Sequence, residues 1–311
     1  MREANVLRKT VSGMSVFPKY CTNVLLLSLL LWPGLSVSAA LTAIDDTGQE
    51  ITLAQPARRI VSLAPNITEL VFAAGAGDRL VGVSEYSDYP DAAQRIPRIG
   101  GGNGLDLEAI VGLAPDLVIA WKSGNPPRYW QRLRALGLTV FVSEPRHLQD
   151  IADTLRRFGV LAGTEVTAAR QASEFEQRYS RLSQHYSKRT PVRVFYQVWG
   201  RPLMTVNGEH LISDVIRLCG GRNVFAKLPT LAPQITIEAV LAANPEVIVA
   251  GSGNEPAEAV LSKWKRWSEL SAVAHDHLFV IPRELMVRQT PRILQGAEQL
   301  CSILDAVRAG K

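Results

Sequence analysis

Cysteine, methionine and histidine are all scarce in this chain of 311 residues, at three, four and five. The five histidines, His147, His185, His210, His275 and His277, are scattered, and no tandem Cys/His spacing of the structural-zinc type occurs. Signatures of catalysis and nucleotide binding are missing as well: there is no G-x-x-x-x-G-K-[ST], no G-x-S-x-G and no H-E-x-x-H. The glycines at 100–104 are not followed by a lysine and a phosphate-binding helix. His275 and His277 are the one close histidine pair, predicted on one side of a strand. A metal-dependent secreted hydrolase built on these two is the only enzyme reading; a solvated turn before Leu278 is the simpler one. No enzyme is expected, no metal site and no resident cofactor.

A long apolar run is also missing beyond the N-terminus, where the chain has a basic start (Arg2, Arg8, Lys9, Lys19) and then Val24–Leu31. Eight residues, seven of them apolar, are too few to span a bilayer, which needs about 20. Trp32-Pro33-Gly34 break the run and Val37-Ser38-Ala39 ends in small residues. Residues 1–39 are therefore read as a signal peptide cleaved near Ala39, with Met14 as a second candidate start. Cys21 precedes the apolar run and is no lipid-anchor cysteine. Cleavage leaves 272 of the 311 residues and lowers the formal net charge from +5 to +2, which gives no argument for nucleic acid. Two cysteines remain, Cys219 and Cys301. In an exported protein an even pair favours a disulfide over two buried thiols. Closing a loop of about 80 residues would stabilise by ~4–5 kcal/mol in the chain-entropy account.

Two segments are copies of each other. Leu105–Ala120 reads LDLEAIVGLAPDLVIA and Ile235–Ala250 reads ITIEAVLAANPEVIVA, so that Glu108 falls on Glu238 and Pro115 on Pro245. Asp106 and Thr236 are predicted N-caps, which places Glu108 and Glu238 in a first helical turn at the positive end of the helix dipole. Leu117–Ala120 and Val247–Ala250 are apolar without alternation, as strands buried on both faces are. The copies lie 130 residues apart, too far for a solenoid, and imply two lobes of similar build.

The rest alternates strand and helix, and so predicts mostly parallel sheets. A hairpin is expected at Ala43–Leu53, a strand at Arg59–Ala64, a helix capped by Asn66, a strand at Leu80–Val83 and a helix at Trp130–Leu136. Helical periodicity holds from Leu148 to Lys188, with Gly163 dividing it and an uninterrupted helix over Glu165–Lys188. Strands follow at Val192–Val198 and Leu278–Ile281, and helices at Ile212–Cys219, Ala257–Leu270 and Pro291–Arg308. Tyr86, Trp121, Tyr129, Trp130 and Trp199 fall at strand ends or in loops after strands, where open α/β sheets bind ligands. Trp264 and Trp267, in a basic helix (KWKRW), are placed at the lobe surface.

RIVSLAPNITELVFAAG (59–75), VGVSEYSDYP (81–90), LDLEAIVGLAPDLVIAW (105–121), the segment CGGRNVF from Cys219 and TPRILQGAEQLC (290–301) resemble the helical-backbone class of periplasmic substrate-binding proteins. Within it, they look most like the cobalamin receptors of ABC importers, over about Arg58 to Val307. The resemblance implies two small α/β lobes with mostly parallel sheets joined by a long rigid helix, divided as 40–160, 161–190 and 191–311. It implies a monomer in the periplasm that holds a corrinoid in the inter-lobe cleft and delivers it to a permease dimer with its ATPase subunits. Tyr86 and Trp121 match cleft aromatics, and Glu284-Leu285-Met286-Val287-Arg288 matches the second lobe's ligand loop, with Glu284 where an Asp is familiar. Glu108 and Glu238 match the glutamates that dock onto the permease, and Cys219 and Cys301 match the family's disulfide. Gly102 and Ala232 stand where two further cleft tryptophans are expected, which predicts a wider cleft or a different corrinoid. Haem or a ferric siderophore is the alternative ligand, with Arg288 as the visible cation.

Overall fold

The structure, a computed structural model, describes residues 40–101, 104–252 and 256–310, with Thr10 and Gly13. The expected signal peptide and Gly102 lie outside the described residues, apart from those two positions. Ala40–Lys311 clusters as one unit and is described by itself.

Strands β1 (Leu41–Ile44) and β2 (Glu50–Leu53) form the expected antiparallel hairpin. Then come β3 (Ile60–Ser62), α1 (Pro65–Ala73), β4 (Leu80–Val83) and a short hairpin of β5 (Gly100–Gly101) and β6 (Gly104–Leu105). The first copy of the repeat follows as α2 (Leu107–Gly112) and β7 (Leu117–Trp121), then α3 (Pro127–Ala135), β8 (Val140–Ser143), α4 (Leu148–Ala162) and α5 (Glu165–Tyr186). After α5 come β9 (Val192–Gln197), the small hairpin β10 (Trp199–Gly200) and β11 (Leu203–Met204), α6 (Leu211–Leu218) and β12 (Gly221–Asn223). The second copy is α7 (Ile237–Ala243) and β13 (Val247–Ser252), and the chain finishes with α8 (Ala257–Lys265), α9 (Ser271–Ala274), β14 (Leu278–Pro282), α10 (Glu284–Val287) and α11 (Ile293–Ala309).

Two four-stranded parallel sheets result, ordered β4-β3-β7-β8 and β12-β9-β13-β14. The order of strands along the chain is the same in both, so the duplication covers whole lobes and not only the repeated segment. Matching contacts recur inside each copy. Asp106 accepts the backbone N–H of Ala109 (2.9 Å) and Thr236 that of Ala239 (3.3 Å), the expected caps. The Arg59 guanidinium donates to the Leu113 carbonyl at the end of α2, and the Arg193 guanidinium donates to Ala243 at the end of α7. The backbone N–H of Arg59 donates to the Asp116 carboxylate (2.9 Å) and that of Arg193 to Glu246 (2.8 Å).

Each sheet is covered on both faces, hence the unalternating apolar strands. One face of each contributes to a single core running through both lobes, which includes Ile67, Leu70, Phe141, Ile151 and Leu155 with Val194, Ile212, Val215, Met286 and Leu294. The opposite faces close over separate cores, one around Val118, Ile110 and Leu133, the other around Phe195, Ile248 and Trp264. The repeat helices α2 and α7 supply Ile110 and Val240 to these outer cores. Cys219, just after α6, is bonded to Cys301 in α11. Helix α5, 22 residues and about 33 Å long, precedes the second sheet and buries only Ala168, Ala172 and Phe175.

Several expectations need correction. Asn66 does not cap α1: Ala64 holds that position, Pro65 starts the helix, and the buried Asn66 amide donates to Gln289 (2.9 Å). Helix α3 starts three residues earlier than expected, because Pro127 with its fixed φ suits a first turn. Helix α5 stops two residues short, at Tyr186, and α8 stops at Lys265, where Trp267 and Leu270 continue as successive turns. Trp264 is 4% exposed, not at the surface, and its indole N–H donates to Gln197 (2.8 Å). His275 and His277 lie in the turn before β14, the simpler of the two readings; their rings stack, and Nδ1 of each faces a carbonyl, Ser271 and Glu246. Among the described residues no group of three His, Cys, Asp or Glu is placed to hold a metal.

The lobes also exchange carboxylates. Glu69 of α1 meets the start of α11, accepting from Thr290 (2.9 Å) and Arg292 (3.1 Å). Asp214 of α6, the counterpart of α1 in the second lobe, meets the start of α4, where it contacts His147 Nδ1 (3.0 Å) and the N–H of Leu148 (3.3 Å). Helix α6 is capped by His210, whose Nδ1 accepts the N–H of Ile212 (3.1 Å). Burial holds this imidazole at about 4, well below its ordinary value, and the cap needs the neutral ring. The unfolded chain then takes up the proton first, so stability is flat above about pH 6.5 and falls as pH drops towards about 4. His210→Asn keeps a cap acceptor that does not titrate. Urea denaturation at pH 7 and pH 4 is expected to show about 2–3 kcal/mol less acid loss in this variant than in the parent; equal losses would rule out the neutral cap.

Candidate functional site

The carboxyl ends of the two sheets meet where the loop after β4 touches the segment after α10. In an open α/β sheet the crevice lies at these ends, where the strand order reverses. For the order found here the reversal falls between β3 and β7 in the first lobe and between β9 and β13 in the second.

In the first lobe the reversal point is filled. The Asn125 amide donates to the Leu63 carbonyl (2.9 Å) and its oxygen accepts the N–H of Trp121 (2.7 Å), bridging β3 and β7. The Trp121 indole lies flat on Gly124, where a Cβ would come within 1.8 Å of the ring. Trp121 is half-buried against the central core, and its buried indole N–H has no partner among the described residues. Tyr129 and Trp130 do not reach this point, since α3 turns them onto the first outer core.

Tyr86 is the most exposed aromatic of the site, at 79%, and its φ of +62° is rare for a residue with a bulky side chain. Arg288 holds it there. This guanidinium, reaching across from the second lobe, donates to the Tyr86 carbonyl (3.1 Å), to Asp88 (2.7 Å) and to Glu69 (2.7 Å). Burial works against the charge on Arg288, but the hydrogen bonds it donates to Asp88 and Glu69 outweigh this and strengthen the guanidinium's hold on its proton. Partial burial also acts on Asp88, and Arg288 nevertheless keeps that carboxyl below its ordinary value. Glu69, 4% exposed, takes Arg288, Arg292 and Thr290 together.

The segment Glu284–Arg288 is partly buried. Met286 and Leu285 are buried, at 0% and 7% exposure, and show a ligand almost nothing; Glu284 is exposed, Val287 is half-buried, and Arg288 is engaged with the other lobe. In the second lobe the reversal point is open among the described residues. A cavity of about 580 Å³ lies there, lined by Gln197, Trp199, Arg201, Gly251, Lys263 and Arg283 among others. None of the residues expected from the sequence lines it except Trp199. Ala232 is half-buried. Glu108 and Glu238 are both exposed at the starts of α2 and α7. Hydrogen bonds from its own backbone N–H and from the Thr236 hydroxyl hold the Glu238 carboxyl below its ordinary value.

Two copies of an α/β lobe on a shared core, with their strand ends facing one crevice, define a two-lobed binding protein. A family model described as periplasmic binding protein matches residues 60–285. The vitamin B12-binding protein of Vibrio cholerae serotype O1 is 41% identical over 250 residues, 80% of this chain and 90% of that protein. The protein of the same name from Photorhabdus laumondii is 38% identical over 247 residues, 79% and 88% of the two chains. The crystal structure of the periplasmic vitamin B12 binding protein of Vibrio cholerae matches with a TM-score of 0.76 at 39% identity, over 81% of this chain and 98% of that one. The periplasmic haem-binding protein from Roseiflexus sp. RS-1 shares the fold, with a TM-score of 0.71 at 23% identity, over 80% and 98%. This chain belongs to the periplasmic binding protein family.

Removing Arg288 strips the buried Glu69 of its shortest ion pair. Breaking a buried pair costs about 3–5 kcal/mol, and since Arg292 and Thr290 stay, Arg288→Gln is expected to cost about 2–3 kcal/mol in chemical denaturation. Hydrogen exchange should quicken over residues 85–90 in that variant, whereas Glu284→Ala leaves both readouts unchanged. Unaltered exchange at 85–90 in Arg288→Gln would remove Arg288 as the holder of the Tyr86 loop.

Proposed function

We propose that this protein captures cobalamin, or a closely related corrinoid, between its lobes in the periplasm and hands it to an ABC permease with its ATPase subunits. What carries the reading is the 41% identity with a vitamin B12-binding protein across 90% of that protein. The site is compatible with a large ring-shaped ligand: Tyr86 offers an exposed ring after β4, and the half-buried Trp121 ends β7 in the same sheet. Flat aromatic faces gain from contact with a macrocycle. Cobalt arrives with its equatorial ligands, so the site needs no metal-binding side chains. No catalytic residue is assigned, and the protein is taken to act as a monomer. The lobes are divided as 40–160 and 191–311, with 161–190 between them, and residues 1–39 are removed on export.

Glu108 and Glu238 are assigned to permease docking. They sit at matching points of the two copies, exposed, each behind an N-cap. Two equivalent carboxylates suit a partner with two-fold symmetry, and pairing with guanidinium groups supplies orientation more than affinity.

A second reading, haem or a ferric siderophore, draws on the cations Arg201, Lys263 and Arg283 around the second-lobe cavity. Calorimetric titration of residues 40–311 with cyanocobalamin should give one-to-one saturation at sub-micromolar affinity. Replacing Tyr86 and Trp121 together by alanine should weaken it at least about tenfold, since one buried aromatic contact is worth about 2–3 kcal/mol. Haem or siderophore binding with no cobalamin heat would favour the second reading. Glu108→Lys combined with Glu238→Lys should abolish uptake in cells while cobalamin affinity persists; surviving uptake would reduce both residues to helix caps.

A further inference from the structure

We infer that the second-lobe cavity is an anion subsite, in which the Arg283 guanidinium takes the phosphodiester of the corrinoid's nucleotide loop. The inference rests on the cobalamin reading and deepens it. Three of the residues lining the cavity, Arg201, Lys263 and Arg283, are cationic, and no carboxylate is among the described residues that line it. The corrin periphery offers neutral amides, which backbone groups and uncharged side chains satisfy. The phosphodiester is the anion that cobalamin carries, and it is ionised at every pH the periplasm reaches.

Arg283 differs from its neighbours Arg288 and Arg292, whose guanidinium groups are held by Glu69. It makes no ion pair with a described carboxylate. Its guanidinium carbon stands 5.3 Å from the centre of the Trp199 ring, at the cavity wall. A guanidinium on an aromatic face keeps its in-plane N–H groups, which form a fork that fits two oxygens of a phosphate. The backbone anchors it: the N–H of Arg283 donates to the Ser252 carbonyl (2.9 Å), fixing the end of β14 against β13. Gly251 keeps the floor open. A Cβ at that position would stand 3.2 Å from the Tyr196 hydroxyl and 3.4 Å from the Arg283 side chain. That hydroxyl is buried and without a partner among the described residues, and burial pushes its ionisation well above the ordinary range, so it remains an O–H. Lys263 reaches the same wall from the basic helix α8, which is pinned by the bond from Trp264 to Gln197.

The test compares cobalamin with cobinamide, which keeps the corrin ring and lacks the nucleotide loop and its phosphate. The parent protein should bind cobalamin about ten- to hundredfold tighter than cobinamide, as charge-assisted hydrogen bonds allow. Arg283→Gln should remove most of that preference by weakening cobalamin alone, and Arg283→Lys should restore part of it. The preference should also shrink as salt is raised, because ions screen a half-exposed pair. Should Arg283→Gln fail to fold, Arg283→Lys and the salt dependence of the parent protein's preference are read in its place. Equal weakening of both ligands, or of neither, would overturn the subsite while leaving cobalamin as the ligand. Binding of neither corrinoid by the parent protein would overturn the cobalamin reading and the subsite with it.

Discussion

Everything at the site depends on the core that runs uninterrupted through both lobes. Each sheet gives one face to it, and helices α1, α4, α6 and α11 fill the space between. Apolar surface so shared cannot be uncovered without a large cost, since each Å² returned to water costs about 25 cal/mol. A wide hinge opening would expose Ile151, Val215 and Leu294 together. The lobes are therefore held at nearly fixed distance, and the ligand edge is shaped before any ligand arrives. Preorganisation of this kind lowers the ordering cost of binding.

On that apolar base the polar contacts set orientation. Glu69 reaches the start of α11, and Asp214 reaches the start of α4. Helices α1 and α6 are counterparts, as are α4 and α11, so the two clamps are one contact used twice in opposite senses. This is how a two-fold homodimer joins its halves, and here both halves are on one chain. The clamps have diverged, however. The Glu69 side has two arginines and a threonine; the Asp214 side has a histidine, a backbone N–H and Arg217 from its own helix. The ligand edges diverged too: Asn125 and Trp121 fill one reversal point, and among the described residues the other holds the cavity.

The fold was legible in the sequence where its causes are local. Caps at Asp106 and Thr236, unalternating strands and the punctuation at Gly163 all act within a few residues, and they appear where they were expected. Burial of Trp264 was not legible, because its partner Gln197 lies 67 residues away and leaves no spacing signal. The role of Arg288 was hidden for the same reason, since Glu69 and Asp88 are separated from it by 219 and 200 residues. Leu285 and Met286 were assigned to a ligand loop by resemblance, yet a four-residue helix turns both inward. Arg201 and Arg283 carry the same local signal as Trp121 and Trp199, since both follow strand ends.

Under the docking proposed above for Glu108 and Glu238, the duplicated helices α2 and α7 have a consequence for assembly. A chain that imitates two-fold symmetry on its outer surface, while differing inside its crevice, looks alike to a symmetric partner from either of two poses half a turn apart. Encounter is then productive twice as often as for a wholly asymmetric ligand carrier. The cargo, by contrast, enters the channel mouth with its polarity reversed between the two poses, so the partner's pathway has to be indifferent to which end of the cargo leads.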